Sequence, residues 1–154
     1  MKITIITITV IVVLILAYLA YQGHVSKSGA AAGLVDGRLT PCPGKPNCVC
    51  SEYPQHTDHA IEPIAMQGAS ATAMLQPLKD IIEAQGGVIV ATGDGYIAAT
   101  FTSRLFGFVD DLEIRLDPEA RLIHLRSASR VGTSDFGANS KRVEAIRRSY
   151  HGIQ

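Results

Sequence analysis

A chain of 154 residues, 47 % hydrophobic and without tryptophan, holds about one small domain's worth of foldable sequence and is too apolar to be disordered. Its 14 Lys/Arg balance 14 Asp/Glu, but residues 41–120 carry four basic against eleven acidic side chains (−7) and residues 121–154 carry seven against two (+5). The basic stretch is too short and too poor in aromatics for a nucleic-acid surface, so the asymmetry reads as two complementary surfaces of one fold, with a dedicated anion-binding face as the alternative.

Ile3 to Tyr21 is a run of 19 residues without a charge, broken only by Thr4, Thr7 and Thr9. As a helix it spans about 28 Å, close to the hydrocarbon thickness of a bilayer. Threonines can bond back to helix carbonyls and are tolerated there. A cleaved signal peptide is the competing reading. The run exceeds the usual apolar core of such peptides, Tyr18 is a poor residue three before a cut after Ala20, and no cysteine follows for lipid attachment. An uncleaved anchor over 1–21 is the expectation. Lys2 and the amino terminus on one side, against Lys27 and Arg38 on the other, point to an exported domain. The expected location is therefore a bacterial inner membrane, single-pass, with a periplasmic globular domain.

Residues 22–40 are rich in Gly, Ala and Ser and read as a flexible linker, leaving 41–154 as a single globular domain. Pro41, Pro43, Pro46 and Pro54 exclude a helix at its start. Cys42, Cys48 and Cys50 lie in this stretch. An oxidising compartment makes a Cys42–Cys48 disulfide the leading reading, with Cys50 left over. Unbridged structural thiols remain open, as does a metal site with His56 or His59, although Cys-x5-Cys-x-Cys lacks the paired spacing of structural zinc.

His59–Ala65 is a candidate edge strand, since Pro63 suits a strand end, and Gln67-Gly68 breaks it. Ser70–Gln85 places Ala71, Met74, Leu75, Leu78, Ile81 and Ile82 at helical spacing, with Pro77 expected to kink it and Gly86-Gly87 to stop it. Val88–Thr92 and Tyr96–Thr102 flank Gly93-Asp94-Gly95 as a hairpin. Phe108–Leu116 alternates, Leu112, Ile114 and Leu116 facing one way and Asp111, Glu113 and Arg115 the other. A four-residue loop over 117–120 then pairs Leu116 with Arg121, Ile114 with Ile123, Leu112 with Leu125, Glu113 with His124 and Asp111 with Arg126. The last helix is expected near Asn139 as N-cap, with a Glu144–Arg148 pair and a stop at Gly152. The fold class is α+β: a four- to five-stranded antiparallel sheet with two helices on one face, order β-α-β-β-β-β-α, preceded by one transmembrane helix.

At PCPGKPNC, and again at FGFVDDLEIR and RSASRVGTSDFGANSKRVEAIR, the chain strongly resembles a bacterial and plastid family, domain of unknown function fourteen ninety-nine, from about Leu39 to Gln154. The matching positions are Cys42, Cys48, Phe106, Gly107, Asp110, Asp111, Arg126, Ser127, Ser129, Arg130, Gly132, Asp135, Gly137, Asn139, Lys141 and Arg142. The resemblance implies an exported or membrane-tethered domain and supplies no activity. Cys50 departs from it, where a serine is usual, which weakens a three-thiol metal site.

No catalytic signature and no cofactor motif is visible. Ser129, His124 and Asp111 could be set out as a nucleophilic triad, but no nucleophile elbow supports it. A candidate ligand corner is stronger: Arg126, Ser129, Arg130, Asp135, Asn139, Lys141 and Arg142, around a helix start whose free N–H groups favour an anion. Asp110, Asp111 and Asp135 could instead satisfy those cations internally. Two functions follow. The first is a non-enzymatic, partner-binding or accessory subunit of an integral-membrane complex. The second is a small-ligand or anionic-lipid binder, or an unrecognised enzyme, working at that corner.

Overall fold

In the computed structural model, which describes residues 1–67 and 70–152, the apolar N-terminal run forms one helix, α1 (Lys2–Ser26). Thr7 and Thr9 donate to the carbonyls of Ile3 (3.0 Å) and Ile5 (2.9 Å), the local bonds expected of threonines in an apolar helix. At 25 residues α1 is long and apolar enough to cross a membrane.

The stretch expected as a flexible linker carries structure instead. α1 runs on to Ser26, and a small hairpin follows, β1 (Leu34–Val35) and β2 (Arg38–Leu39). Asp36 and Gly37 turn it with φ of 51° and 73°, the paired positive values of a tight two-residue turn. The hairpin is pinned to the domain. Leu39 is fully buried, the Arg38 guanidinium pairs with Glu52 at 2.7 Å, and the Gly33 N–H donates to Glu113 at 2.6 Å. Composition suggested a tether because these anchors are single residues spaced too widely to form a pattern.

The main sheet has six strands: β3 (Cys48–Cys50), β4 (Ile64–Ala65), β5 (Val88–Gly93), β6 (Tyr96–Thr102), β7 (Val109–Asp117) and β8 (Leu122–Ser129). Its antiparallel order is β3-β8-β7-β6-β5, and β4 also pairs with β8. β3 covers Arg126–Ala128 and β4 covers Leu122 and Ile123, so two short strands share one edge. The expected four to five strands become six because β3 is only three residues long and sits among prolines. The expected strand over His59–Ala65 contracts to Ile64–Ala65, beyond Pro63. Gly68 lies outside the described residues.

Two more helices, α2 (Ala71–Ala84) and α3 (Ala138–His151), complete the α+β domain. Ser70 caps α2 by accepting from the Ala73 N–H, and the helix continues through Pro77. Both helices pack on one face of the sheet. Leu78, Ile81 and Ile82 from α2, with Val143, Ile146 and Tyr150 from α3, meet Leu112, Ile114, Leu116, Ile123 and Leu125 in a single core.

The β7–β8 register differs from expectation by two residues. Leu116 faces Ile123, Ile114 faces Leu125, and Glu113 faces Arg126. The loop keeps its four residues but slides by one, to 118–121. Arg121 takes φ of 54°, and the Asp117 carboxylate accepts from the Ala120 N–H at 2.9 Å. A slip of two leaves every side chain on its expected face while changing its partners. The Glu113–His124 and Asp111–Arg126 pairs therefore do not form; Glu113 takes Arg126 and Asp111 takes Arg130.

At α3 the N-cap is Gly137, with φ of 78°, and not Asn139. The Asp135 carboxylate accepts from the N–H groups of Gly137 (3.1 Å) and Asn139 (2.7 Å). With the helix start satisfied from Asp135, the Asn139 side chain is free to turn inward. Glu144 pairs with Arg147 at 3.3 Å instead of Arg148, because Arg147 is already drawn to that side by the carbonyls of Glu62 and Pro63.

Candidate functional site

Strand alternation separates residues that look adjacent in the sequence. Asp110 and Asp111 project to opposite faces of β7, and the candidate corner divides with them.

On the helix face, Asn139 is the hub. Its side-chain amide donates to the Asn47 carbonyl (3.0 Å) and the Ser129 hydroxyl (3.1 Å), and its oxygen accepts from Ser127 (2.6 Å) and Arg142. Arg142 also donates to Ser127 Oγ (2.9 Å), pairs with Asp110 at 2.7 Å, and lies over the Phe101 ring with its central carbon 4.5 Å from the centroid. Asn47 returns two bonds from its own amide, to the carbonyls of Val131 and Gly132.

On the opposite face, Arg130 grips Asp111 with two parallel bonds of 2.8 and 2.7 Å and donates a third to the Ser26 carbonyl at 3.2 Å. Its neighbour Asp111, the largest influence, raises its pKa further above an already high value. Ser26 is 1 % exposed. Its hydroxyl donates to the Gly23 carbonyl (2.7 Å) and accepts from the Val109 N–H (3.0 Å). A Cβ on Gly23 would stand 1.8 Å from the Phe106 carbonyl oxygen, so the helix backbone rests directly on that loop. The Arg130 end of the candidate corner is thus a clamp holding α1 to the sheet.

Further along the same face, Glu113 is fully buried and accepts from Arg126 (2.7 Å), the Tyr96 hydroxyl (2.8 Å) and the Gly33 N–H (2.6 Å). Burial, and then the bond to Glu113, raise the Tyr96 pKa. Arg126 Nε finds no acceptor among the described residues. Beyond it, Glu52 joins Arg115 (2.5 Å) and Arg38 (2.7 Å). Burial alone would raise the Glu52 pKa, but the two guanidinium bonds outweigh it and hold the carboxyl below its ordinary value.

The seven candidate residues therefore do not share one pocket. Ser129, Asn139 and Arg142 meet on the helix face beside the Asp135 cap, while Arg126 and Arg130 lie behind the sheet. Lys141 is exposed, and among the described residues its side chain reaches the Phe136 carbonyl at 3.5 Å. The candidate triad is separated in the same way: Ser129 bonds Asn139, Asp111 holds Arg130, and His124 contacts Ser51 at 3.2 Å. Cys42 and Cys48 form a disulfide, taking two of the three thiols from the metal alternative. Cys50 is buried and free, and burial pushes its thiol pKa up. His59 meets the Cys48 carbonyl through Nδ1 at 3.1 Å.

Sequence reasoning missed Glu52, Tyr96, Asn47 and Ser26. Only Asn47 carried a signal, standing inside PCPGKPNC next to Cys48.

One apolar-rimmed groove of about 570 Å³ lies beside this assembly. Its walls are the last turns of α1 (Tyr18, Leu19, Gln22), the loop at Leu105 and Phe106, and the loop at Phe136. Asp110, Ser129 and Asp135 contribute to its lining. An open groove of about 600 Å³ runs over β5 and β6 and touches Lys27 and Arg130.

None of the curated proteins compared with the chain matches it. A family profile described as protein of unknown function matches residues 38–149, which include Asn47, Glu52, Asp110, Asp111, Glu113, Arg126, Arg130, Asn139 and Arg142 but not Ser26 or Gly33. The chain belongs to the DUF1499 family.

Proposed function

We propose that this protein is a single-pass, membrane-anchored domain that acts without catalysis, as a partner-binding or accessory subunit of a membrane complex, with its globular part on the periplasmic side of a bacterial inner membrane. The observation that carries the reading is the clamp from Ser26 through Arg130 to Asp111. The Arg130 end of the candidate corner is engaged in holding an apolar helix in place. The disulfide favours export, because such bonds persist in oxidising compartments.

The alternative, an anionic ligand or lipid held by Arg126, Arg130, Lys141 and Arg142, finds less support. Three of those four cations already face carboxylates at 2.7 Å, and they divide between two faces of the sheet. The full chain purified in mild detergent is expected to co-migrate with a membrane protein at fixed stoichiometry. A chain that runs alone in mild detergents, yet binds a small anion in calorimetry, would overturn the proposal.

A further inference from the structure

The junction between α1 and the domain sets the height of two loops. Counted from Ile3, an uncharged helix reaches the limit of the hydrocarbon after about 28 Å, near Tyr21. Leu105, Phe106 and Phe136 line the same groove as Tyr18, Leu19 and Gln22, so they stand at that depth. They cannot swing away on a tether. Gly23 lies against the Phe106 carbonyl, and Ser26 is bonded to Val109 and Arg130.

The loops also have the chemistry for that depth. Leu105 is 82 % exposed and Phe136 is 91 % exposed, the two large apolar side chains of the globular part that protrude furthest. Around them stand three exposed cations: Arg104 next to Leu105, Lys27 with its Cε beside Gly107, and Lys141 reaching the Phe136 carbonyl. Among the described residues none of the three pairs with a carboxylate. The two carboxylates in the groove are taken up, Asp110 by Arg142 and Asp135 by the N–H groups of Gly137 and Asn139. Protruding apolar tips flanked by Lys and Arg are the composition of an interfacial membrane contact, and each such cation strengthens partitioning onto an anionic surface about five-fold. An apolar groove alone would equally suit a partner helix; the three cations flanking its loops favour lipid.

We propose that the loops bearing Leu105 and Phe136 enter the headgroup layer of an anionic phospholipid bilayer, so that the domain is seated on the membrane as well as anchored through it. This rests on α1 being a membrane span.

The chain lacks tryptophan, so single tryptophans report cleanly. The full chain is reconstituted in phosphatidylglycerol vesicles with brominated acyl chains, carrying Leu105→Trp, Phe136→Trp, Val12→Trp within α1, or Glu119→Trp in the exposed turn at the far end of β7. The first two tryptophans are expected to emit to the blue of Glu119→Trp and to be quenched by the lipid bromines. Quenching should be weaker in phosphatidylcholine. Solvent-like, unquenched emission at both loops, with Val12→Trp quenched, overturns the seating while leaving the anchor intact. An unquenched Val12→Trp removes the anchor itself and the seating with it. Loop emission that is solvent-like in vesicles but buried in native membranes gives the groove to a protein partner and also overturns the seating. Equal quenching in both lipids overturns the preference for anionic headgroups.

Discussion

Replacing Arg130 by alanine leaves the Asp111 carboxylate, 5 % exposed, without its countercharge, and Arg142→Ala does the same to Asp110 at 15 %. Breaking a largely buried pair from one side costs roughly 3 kcal/mol. Each variant should therefore unfold at clearly lower temperature in a detergent-solubilised melt; unchanged melting would show that these arginines are held in reserve for a ligand. Acid should act on the other buried groups. Burial, its largest influence, lowers the His124 pKa below 6.5, and the Arg115 and Arg38 bonds hold Glu52 below 4.5 despite burial. Both groups bind protons more weakly when folded. Stability is then full above pH 6.5, begins to fall below it through His124, and falls again below pH 4.5 through Glu52. Denaturant unfolding across that range should show both steps, and Glu52→Gln should lower stability at neutral pH while removing the lower one.

At the scale of elements, the junction of α1 with the loop at Phe106 depends on a missing side chain. Gly23→Ala places a methyl where a backbone carbonyl cannot yield, which costs about 1–3 kcal/mol by overpacking or opens the joint. Trypsin cleavage after Lys27 should accelerate in this variant, and cleavage as slow as in the parent chain would contradict the joint. The same scale shows what a single chain of letters can convey. Faces were legible, because Leu112, Ile114 and Leu116 alternate with Asp111, Glu113 and Arg115 whatever the exact pairing. Partners were not, because the loop before β8 could close at Leu116 or Asp117, and the choice depends on Arg121 accepting a left-handed conformation. Asn139 looked like a cap because Asn favours caps. Asp135 does that work from outside the helix, leaving Asn139 to bind Asn47, 92 residues away. The candidate corner failed as one site for the same reason the faces succeeded: alternation sends Asp110 and Asp111 apart.

At the scale of the whole molecule, α1 and the domain meet through backbone contact and a guanidinium clamp, with no slack between them. If α1 crosses a bilayer, the joint turns the domain into a lever. A span longer than the hydrocarbon adjusts by tilting, and a rigidly attached body tilts with it. The turn beyond Asp117 stands about 27 Å from the joint, the length of β7, so a change of about 10° moves it by roughly 5 Å. Energy transfer from Glu119→Trp to a labelled headgroup should therefore change as the lipid acyl chains are shortened below the length of the span. Adding Gly23→Ala should flatten that response, and a flat response in the clamped chain would rule the lever out. Through that joint, a domain on a spanning α1 would acquire a mechanical gauge of bilayer thickness.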